Sequence, residues 1–448
     1  MSYAALIFSH SITPRLQYIV DFLSQYYGMP FRLTSDEEKY LSAQEPCKIN
    51  YSYHRLAKDE IWIHSHVLLS ESYIRQVKVE CFERNGYKAF FKAEGDLGFD
   101  LLAAIFYLLT RYEEYLPYHK DSYGRYGHEN SVAYKESFLH LPLINIWLED
   151  FRRLLCGRNS DFIDSRSQFS FVPTYDIDMA WSFRNKGFKR NAGGILQLFF
   201  KGRWRPMANR IRILKGKKQD PYDVYEWMDQ IHHQYRLKPY YFFLVAKEKG
   251  KYDKNIDVEN PEFQLLIKTT ASKYATGLHP SWASSDTPSL LTKEKNTLEQ
   301  ITGQPVVSSR QHYIRFSLPV TYQRLLALGI TNDYSMGYGS INGFRASVAT
   351  PYFWYDLKNE ERTRLQIHPY CFMDANAYYE QKLSPEAALE ELSQYLNILR
   401  SVNGTMITIW HNSFLGTDPE FEGWREVYEQ FVAQAGRNVE QGTRNVEL

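Results

Sequence analysis

The sequence predicts an α/β protein in two parts, a small α/β domain followed by a larger seven-stranded (β/α) unit. Two observations predict it. From residue 169 onward, apolar runs of strand length alternate with segments of helical periodicity, the pattern of a βα architecture rather than of a sandwich or a bundle. The 448 residues also exceed the usual size of one domain, and 44% hydrophobic residues can supply real cores.

In the first domain, residues 1–165, the run 4–8 reads as a strand and 13–27 as an amphipathic helix. Further strands are expected at 61–67 and 77–82. Residues 99–115 read as a helix with Leu101, Leu102, Ile105, Phe106, Leu109 and Tyr112 on one side. The stretch 120–130, rich in Tyr, Gly, Arg and His, reads as a loop, and His119, His128 and His140 receive no role. In the second domain, residues 166–436, strands are expected at 169–174, 240–245, 276–278, 305–309, 330–334, 365–372 and 406–410. Between them, Val224, Met228, Ile231 and Tyr235 repeat at helical spacing after Pro221. Ser384-Pro385-Glu386 opens a helix carrying Leu389, Leu392, Tyr395, Leu396 and Leu399. Residues 437–448 read as a polar tail.

One segment interrupts the alternation. Between Met179 and Gln219 there are twelve Lys or Arg and no acidic residue, interleaved with Trp181, Phe188, Ile195, Leu196, Leu198, Phe199, Phe200 and Trp204. This basic insertion, 183–219, reads as a helical cap over the mouth of the barrel with its apolar face packed down. The other reading is contact with an anionic glycan or the phospholipid surface.

A formal charge of +1, with no arginine-rich tail or RNA-type aromatic motif, excludes a chain that is globally a nucleic-acid binder. Aromatics reach 16%, including 35 tyrosines, which suits stacking on sugar rings and equally a Tyr-rich core. Cys47, Cys81, Cys156 and Cys371 lie far apart, so neither a zinc knuckle nor a disulfide framework is indicated and a reducing compartment is expected. The first residues lack a signal-peptide pattern, and no run approaches the ~20 apolar residues of a membrane span. The expected location is the cytoplasm, with peripheral contact to the inner membrane face through the insertion.

Polar residues follow several of the apolar runs: Asp176 and Asp178, His279, Arg310 with His312, Arg345, and His411. In a βα barrel that edge is where active sites are built, so separate segments would converge on one mouth. Asp176 and Asp178, one residue apart on a strand, point to the same side. Two like charges held close need a cation between them, or one must take up a proton. One carboxylate with His279 and His312 would leave a Zn²⁺-type ion open positions for water and substrate, which points to a hydrolase.

Over roughly residues 169–435 the chain resembles polysaccharide deacetylases of carbohydrate esterase family four, whose fold is a deformed barrel of βα units. Thr174-Tyr175-Asp176-Ile177-Asp178 resembles the opening motif, and Gly277-Leu278-His279 the metal-histidine motif. Gly343-Phe344-Arg345 resembles the arginine motif, and Ile409-Trp410-His411 the closing motif. The resemblance implies a divalent metal, Zn²⁺ by type, on Asp178 and His279. It makes Asp176 the general base, Arg345 the residue that orients the base, and His411 the general acid. It also implies a carboxylate partner for that arginine, for which Asp374 is the candidate. Products would be acetate and a free amino sugar, with an N-acetylated sugar or oligosaccharide as substrate. A backbone N–H near Tyr313 or Ser281 would help hold the oxyanion.

Two departures stand out. Ile177 separates the opening aspartates, and Ala283 occupies the position four after His279 where the family usually has its second metal histidine, so His312 must replace it. The alternatives are a catalytically silent sugar-binding barrel, an O-acetyl esterase, and an interaction protein held at the membrane by the insertion.

Overall fold

A computed structural model describes residues 5–45, 47–158, 166 and 168–436. The first strands, β1 (Ala5–Phe8), β2 (Phe31–Thr34), β3 (Cys47–Ser52) and β4 (Ile61–His64), make a parallel sheet in the order β2-β1-β3-β4. A short antiparallel hairpin follows, β5 (Phe82–Arg84) with β6 (Tyr87–Ala89). The larger sheet holds β7 (Ser170–Ile177), β8 (Tyr240–Leu244), β9 (Ala275–His279), β10 (Ser308–Ser309), β11 (Asn332–Asp333), β12 (Tyr352–Asp356), β13 (Glu361–Ile367), β14 (Phe372–Met373) and β15 (Thr405–His411). Its order is β12-β13-β11-β10-β9-β8-β7-β15-β14, parallel throughout except for β12 on β13.

The helix Pro14–Tyr27 forms as the sequence predicts. Thr13 caps it by accepting the Leu16 N–H, Pro14 starts it, and Gly28 ends it at φ 66°. The expected helix over 99–115 stops sooner, at Leu109, because Arg111 turns to φ 53° and starts a short 3₁₀ segment, Tyr112–Tyr115. That turn gives the buried Arg111 guanidinium its partners, Glu113 at 2.8 Å and Glu114 at 2.7 Å. The expected strand over 77–82 is mostly irregular. Val77 is buried while Lys78 and Glu80 are exposed, so the alternation is real, but only the end of the run finds a strand to pair with. β2, β3 and the helix Leu143–Arg158 carry no expectation from the sequence.

In the larger sheet the run 365–372 divides into β13 and β14, and β12 is a strand that the sequence reading omits. β12 is an edge, and the first part of the chain covers it: Tyr18 Oη donates to Phe353 O at 2.8 Å. Arg15, fully buried, pairs with Glu360 in the β12–β13 turn. Ile144 N–H donates to Ser347 O at 2.9 Å. One hydrophobic core therefore runs from Leu16, Ile19 and Phe106 through Trp354 and Tyr355 to Trp410. The expected boundary between the two domains, at 165, and the polar tail 437–448 lie outside the described residues.

The insertion is two helices, Phe188–Phe200 and Trp204–Leu214. They cross at Gly194, where a Cβ would collide with the Arg210 guanidinium, and Arg210 Nη2 donates to Asn191 Oδ1 at 3.0 Å. At the base, the Asp220 carboxylate accepts the N–H groups of Ser182, Phe183 and Arg184. The expectation of a cap with its apolar face packed down is corrected. Phe188, Leu196, Phe199, Phe200 and Trp204 are exposed, whereas Ile195, Leu198, Ile211 and Ile213 are half-buried or buried. No helix among the described residues is long and apolar enough to cross a membrane.

Candidate active site

The parallel register of the large sheet brings chemistry to one edge. His411 sits beside Asp176 on neighbouring strands, His279 beside Leu244, and Arg310 and His312 follow β10, which pairs with β9. This is the carboxyl edge of parallel strands, where chain segments leave the sheet and side chains from different strands can meet.

Asp178, His279 and His312 come together there, one donor atom from each lying within 4.8 Å of the others. His279 Nε2 is 3.1 Å from Asp178 Oδ1, and His312 Nε2 is 3.5 Å from Asp178 Oδ2. The other ring nitrogens are anchored. His279 Nδ1 lies 2.7 Å from Arg310 O, a carbonyl that can only accept, so Nδ1 carries the proton. His312 Nδ1 lies 3.0 Å from Asp253 Oδ1. Both anchors aim Nε2 at Asp178, the arrangement by which carboxylates and carbonyls fix metal-binding imidazoles.

Asp178 Oδ1 is buried with no hydrogen-bond donor, since His279 Nε2 is near it but outside hydrogen-bonding geometry. A carboxylate with one orphan oxygen, each of its oxygens facing an imidazole nitrogen, fits a divalent cation. Burial alone would raise the Asp178 pKa, but His312 and His279 hold it well below the usual carboxylate range. Burial likewise disfavours charge on His312, yet Asp178 and Asp253 outweigh it and push its pKa up to about 9.

Asp176 is buried and lies beside this group, with Oδ2 3.8 Å from His279 Nε2. The arginine on it is Arg310, whose Nη1 donates to Asp176 Oδ1 at 3.1 Å and to Thr174 Oγ1 at 2.6 Å. Tyr334 O accepts from its Nε, and the guanidinium lies over the Phe242 ring. The expectation that Arg345 orients the base is therefore corrected. Arg345 is buried elsewhere, with Nε and Nη2 on Glu114 at 2.8 and 2.6 Å and Nη1 on Gly337 O. Glu114 comes from the first part of the chain and takes the guanidinium away from the site.

Asp374 also has a different partner from the one expected. Instead of an arginine it holds His411, accepting from Nδ1 at 2.6 Å and from the backbone N–H at 2.6 Å. His411 Nε2 then faces Asp178 Oδ2 at 3.5 Å. Burial opposes charge on His411, but Asp374, followed by Asp178 and Asp176, pushes its pKa up to about 10. It holds a proton at neutral pH.

The group opens into a cavity of about 500 Å³. Asp176, Asp178, His279, His312 and His411 line one side, and Tyr313, Phe414 and Tyr379 present rings on others. The first part of the chain contributes Tyr123 and Arg125. Arg125 Nη1 donates to Tyr313 O at 2.7 Å and Nε pairs with Asp121, which holds Tyr313 at φ 57°. Of the two expected oxyanion donors, Ser281 is committed, because its N–H donates to Glu294 Oε2 at 2.9 Å.

Residues 5–160 match a family of unknown function, DUF7033. Solved polysaccharide deacetylases align with about 60% of this chain. A protein of Mycobacterium smegmatis assigned as one aligns over 60% of this chain and 84% of its own, at 15% identity and a TM-score of 0.38. One from Pseudomonas aeruginosa aligns over 60% and 84%, at 13% identity and 0.36. A CE4 family pseudoenzyme from Bacillus anthracis aligns over 61% and 62%, at 10% identity and 0.30. No curated protein matches the sequence.

Sequence reasoning missed Asp253, Arg125 and Tyr123, and it passed over the contact of Arg310 with Asp176. Asp253 sits in Lys249-Gly250-Lys251-Tyr252-Asp253, a polar loop 59 residues from its histidine, and nothing local marks it. Arg310 did carry a signal, since it follows an apolar run two residues before His312.

Proposed function

We propose that this chain is a metal-dependent hydrolase that removes N-acetyl groups from a glycan or a glycan precursor, and that its larger sheet is a deformed (β/α) barrel. The observation that carries the reading is the convergence of Asp178, His279 and His312, with both imidazoles anchored through Nδ1 and a buried oxygen of Asp178 lacking any donor. Those three residues would hold the cation, which when bound supplies Lewis acidity toward a carbonyl and makes water easier to deprotonate.

The protein's own groups do the rest. Asp176, held by Arg310, takes the proton of the attacking water. Tyr313 lines the cavity, and its N–H is the remaining donor assigned to the developing oxyanion. His411, kept protonated by Asp374, delivers a proton to the departing nitrogen. That donor favours N-acetyl over O-acetyl substrates, because an amine leaves only after protonation whereas an alkoxide depends on it less. The half-buried rings of Tyr123 and Tyr313 at the cavity wall offer surfaces to a sugar. The missing histidine at Ala283 was the reason to consider a silent sugar-binding protein. His312, 3.5 Å from Asp178, supports a complete ligand set in its place. Four free cysteines fit a reducing compartment, and we place the reaction in the cytoplasm.

The test is metal analysis of the purified protein beside acetate release from a panel of N-acetylated mono- and oligosaccharides. One divalent ion per chain, with acetate released and both lost in Asp178→Asn, is the expected result. Protein that takes up no metal, or that holds it and releases no acetate from any sugar, overturns the reading.

A further inference from the structure

We propose that the helical insertion Phe188–Leu214 is a docking element for an anionic phospholipid surface. Every exposed Phe or Trp among the described residues lies in it: Phe188 at 87%, Phe200 at 81%, Trp204 at 56% and Phe199 at 48% relative exposure. Three of them form one cluster. Phe199 packs edge-on against both Phe200 and Trp204, with ring centroids 5.6 and 5.2 Å apart, at the turn between the two helices.

Cations surround this apolar tip. Lys201, Arg203 and Arg205 flank it, and Arg190, Arg212, Lys215, Lys217 and Lys218 continue along the helices, all exposed. Of the insertion's described Lys and Arg side chains, only Arg184, at the base, has a carboxylate within ion-pair distance, Asp223 at 3.1 Å. A surface meant only for water would carry carboxylates among these cations and would not present three rings at its tip.

The combination selects one occupant. A soluble polyanion satisfies the cations but offers nothing to four exposed aromatic rings. An anionic bilayer offers both, phosphate groups for Lys and Arg and an apolar boundary for Phe and Trp, at the depth a short amphipathic element reaches. The helices, of 13 and 11 residues, are too short to span a bilayer, and each is followed by a lysine, so they lie at the surface and do not cross it. No residue of the insertion lines the cavity.

The experiment is co-sedimentation of the full chain with vesicles of phosphatidylcholine alone and of phosphatidylcholine with phosphatidylglycerol, beside a soluble anionic polysaccharide. The expected result is binding to the anionic vesicles, at least ~10-fold weaker to neutral ones. Phe199→Ser with Phe200→Ser and Trp204→Ser should weaken vesicle binding by at least ~10-fold with every charge kept. Lys201→Gln with Arg203→Gln and Arg205→Gln should do the same, as should raising salt until the Debye length falls from ~10 Å to ~3 Å. All these positions are exposed, so circular dichroism and melting temperature should stay unchanged. The proposal is overturned if anionic vesicles do not bind at low salt, or if the aromatic variant binds them as well as the parent, which would leave only polyanion attraction. It is also overturned if the parent is a dimer without vesicles and the aromatic variant a monomer, which would make the occupant a second copy.

Discussion

Two buried charge clusters divide this molecule. One joins Arg111, Glu113, Glu114 and Arg345 where the first part of the chain meets the larger sheet, and the other gathers Asp176, Asp178, His279, His312, Arg310 and His411 at the sheet's carboxyl edge. In the first, every carboxylate oxygen has a donor: Arg111 and Val132 N–H for Glu113, Arg111 and Arg345 for Glu114. In the second, Asp178 Oδ1 has none and the group faces a cavity. Both contain two carboxylates and an arginine that follows an apolar run, so residue type does not separate structure from function. What separates them is whether the carboxylates are already satisfied within the protein.

The largest expected effect is in the closed cluster. Glu114→Ala should lower stability by about 3–5 kcal/mol, because it leaves the buried Arg345 guanidinium without a carboxylate and Arg111 with one of its two, while metal affinity per folded molecule stays within about twofold. Denaturant melts with metal titration read both, and a metal affinity that falls with the stability would dissolve the distinction between the clusters. In the open cluster, Asp176→Asn should keep the metal and reduce turnover by ~10²-fold or more, whereas Asp178→Asn should lose the metal. Equal metal loss in both variants would defeat that division of labour.

A smaller effect sharpens the boundary of the open cluster. Asp253→Ala removes the acceptor that aims His312, and metal affinity should fall by ~10- to 100-fold while the protein stays folded. An unchanged affinity in isothermal titration would mean that His312 is held by packing alone.

The smallest effect concerns a third buried carboxylate. Asp100 accepts from Ala103 N–H, Tyr51 Oη and His66 N–H, but no cation reaches it, and burial pushes its pKa up to about 6. Its folded pKa lies above the unfolded value of about 3.9. The folded state therefore binds the extra proton between about pH 4 and 6, and stability falls as pH rises through that window, by no more than about 1.4 kcal/mol per pH unit. Asp100→Asn should flatten this slope in urea melts taken at pH 4, 5 and 6. A slope unchanged in the variant would assign it to other groups.

The same contrast explains what the sequence could show. Asp176, Asp178, His279, His312 and His411 were legible because each sits at or just after a strand, and strands announce themselves by apolar runs. The roles of the two arginines were not legible. Arg310 and Arg345 both follow apolar runs, and only the arrival of Glu114, 231 residues away, decides which of them is drawn from the site. Asp374 shows the same limit, since its position beyond β14 could be read but its partner His411 could not. The sheet was legible in its long strands. β10, β11 and β14, two residues each, were visible only as parts of longer apolar runs, and β12 became a strand because the first part of the chain covers its edge.

The Arg345–Glu114 pair has a consequence for how this gene could change. Families built from independent modules exchange them by recombination at the linker. Here a new module in place of residues 5–160 would arrive without Glu114 and leave a positive charge sealed inside the acceptor half. It would also remove Tyr123 and Arg125 from the cavity wall. The two halves are therefore expected to be inherited as a pair, with Glu114 and Arg345 lost or kept together, a covariation that sequencing of relatives would reveal.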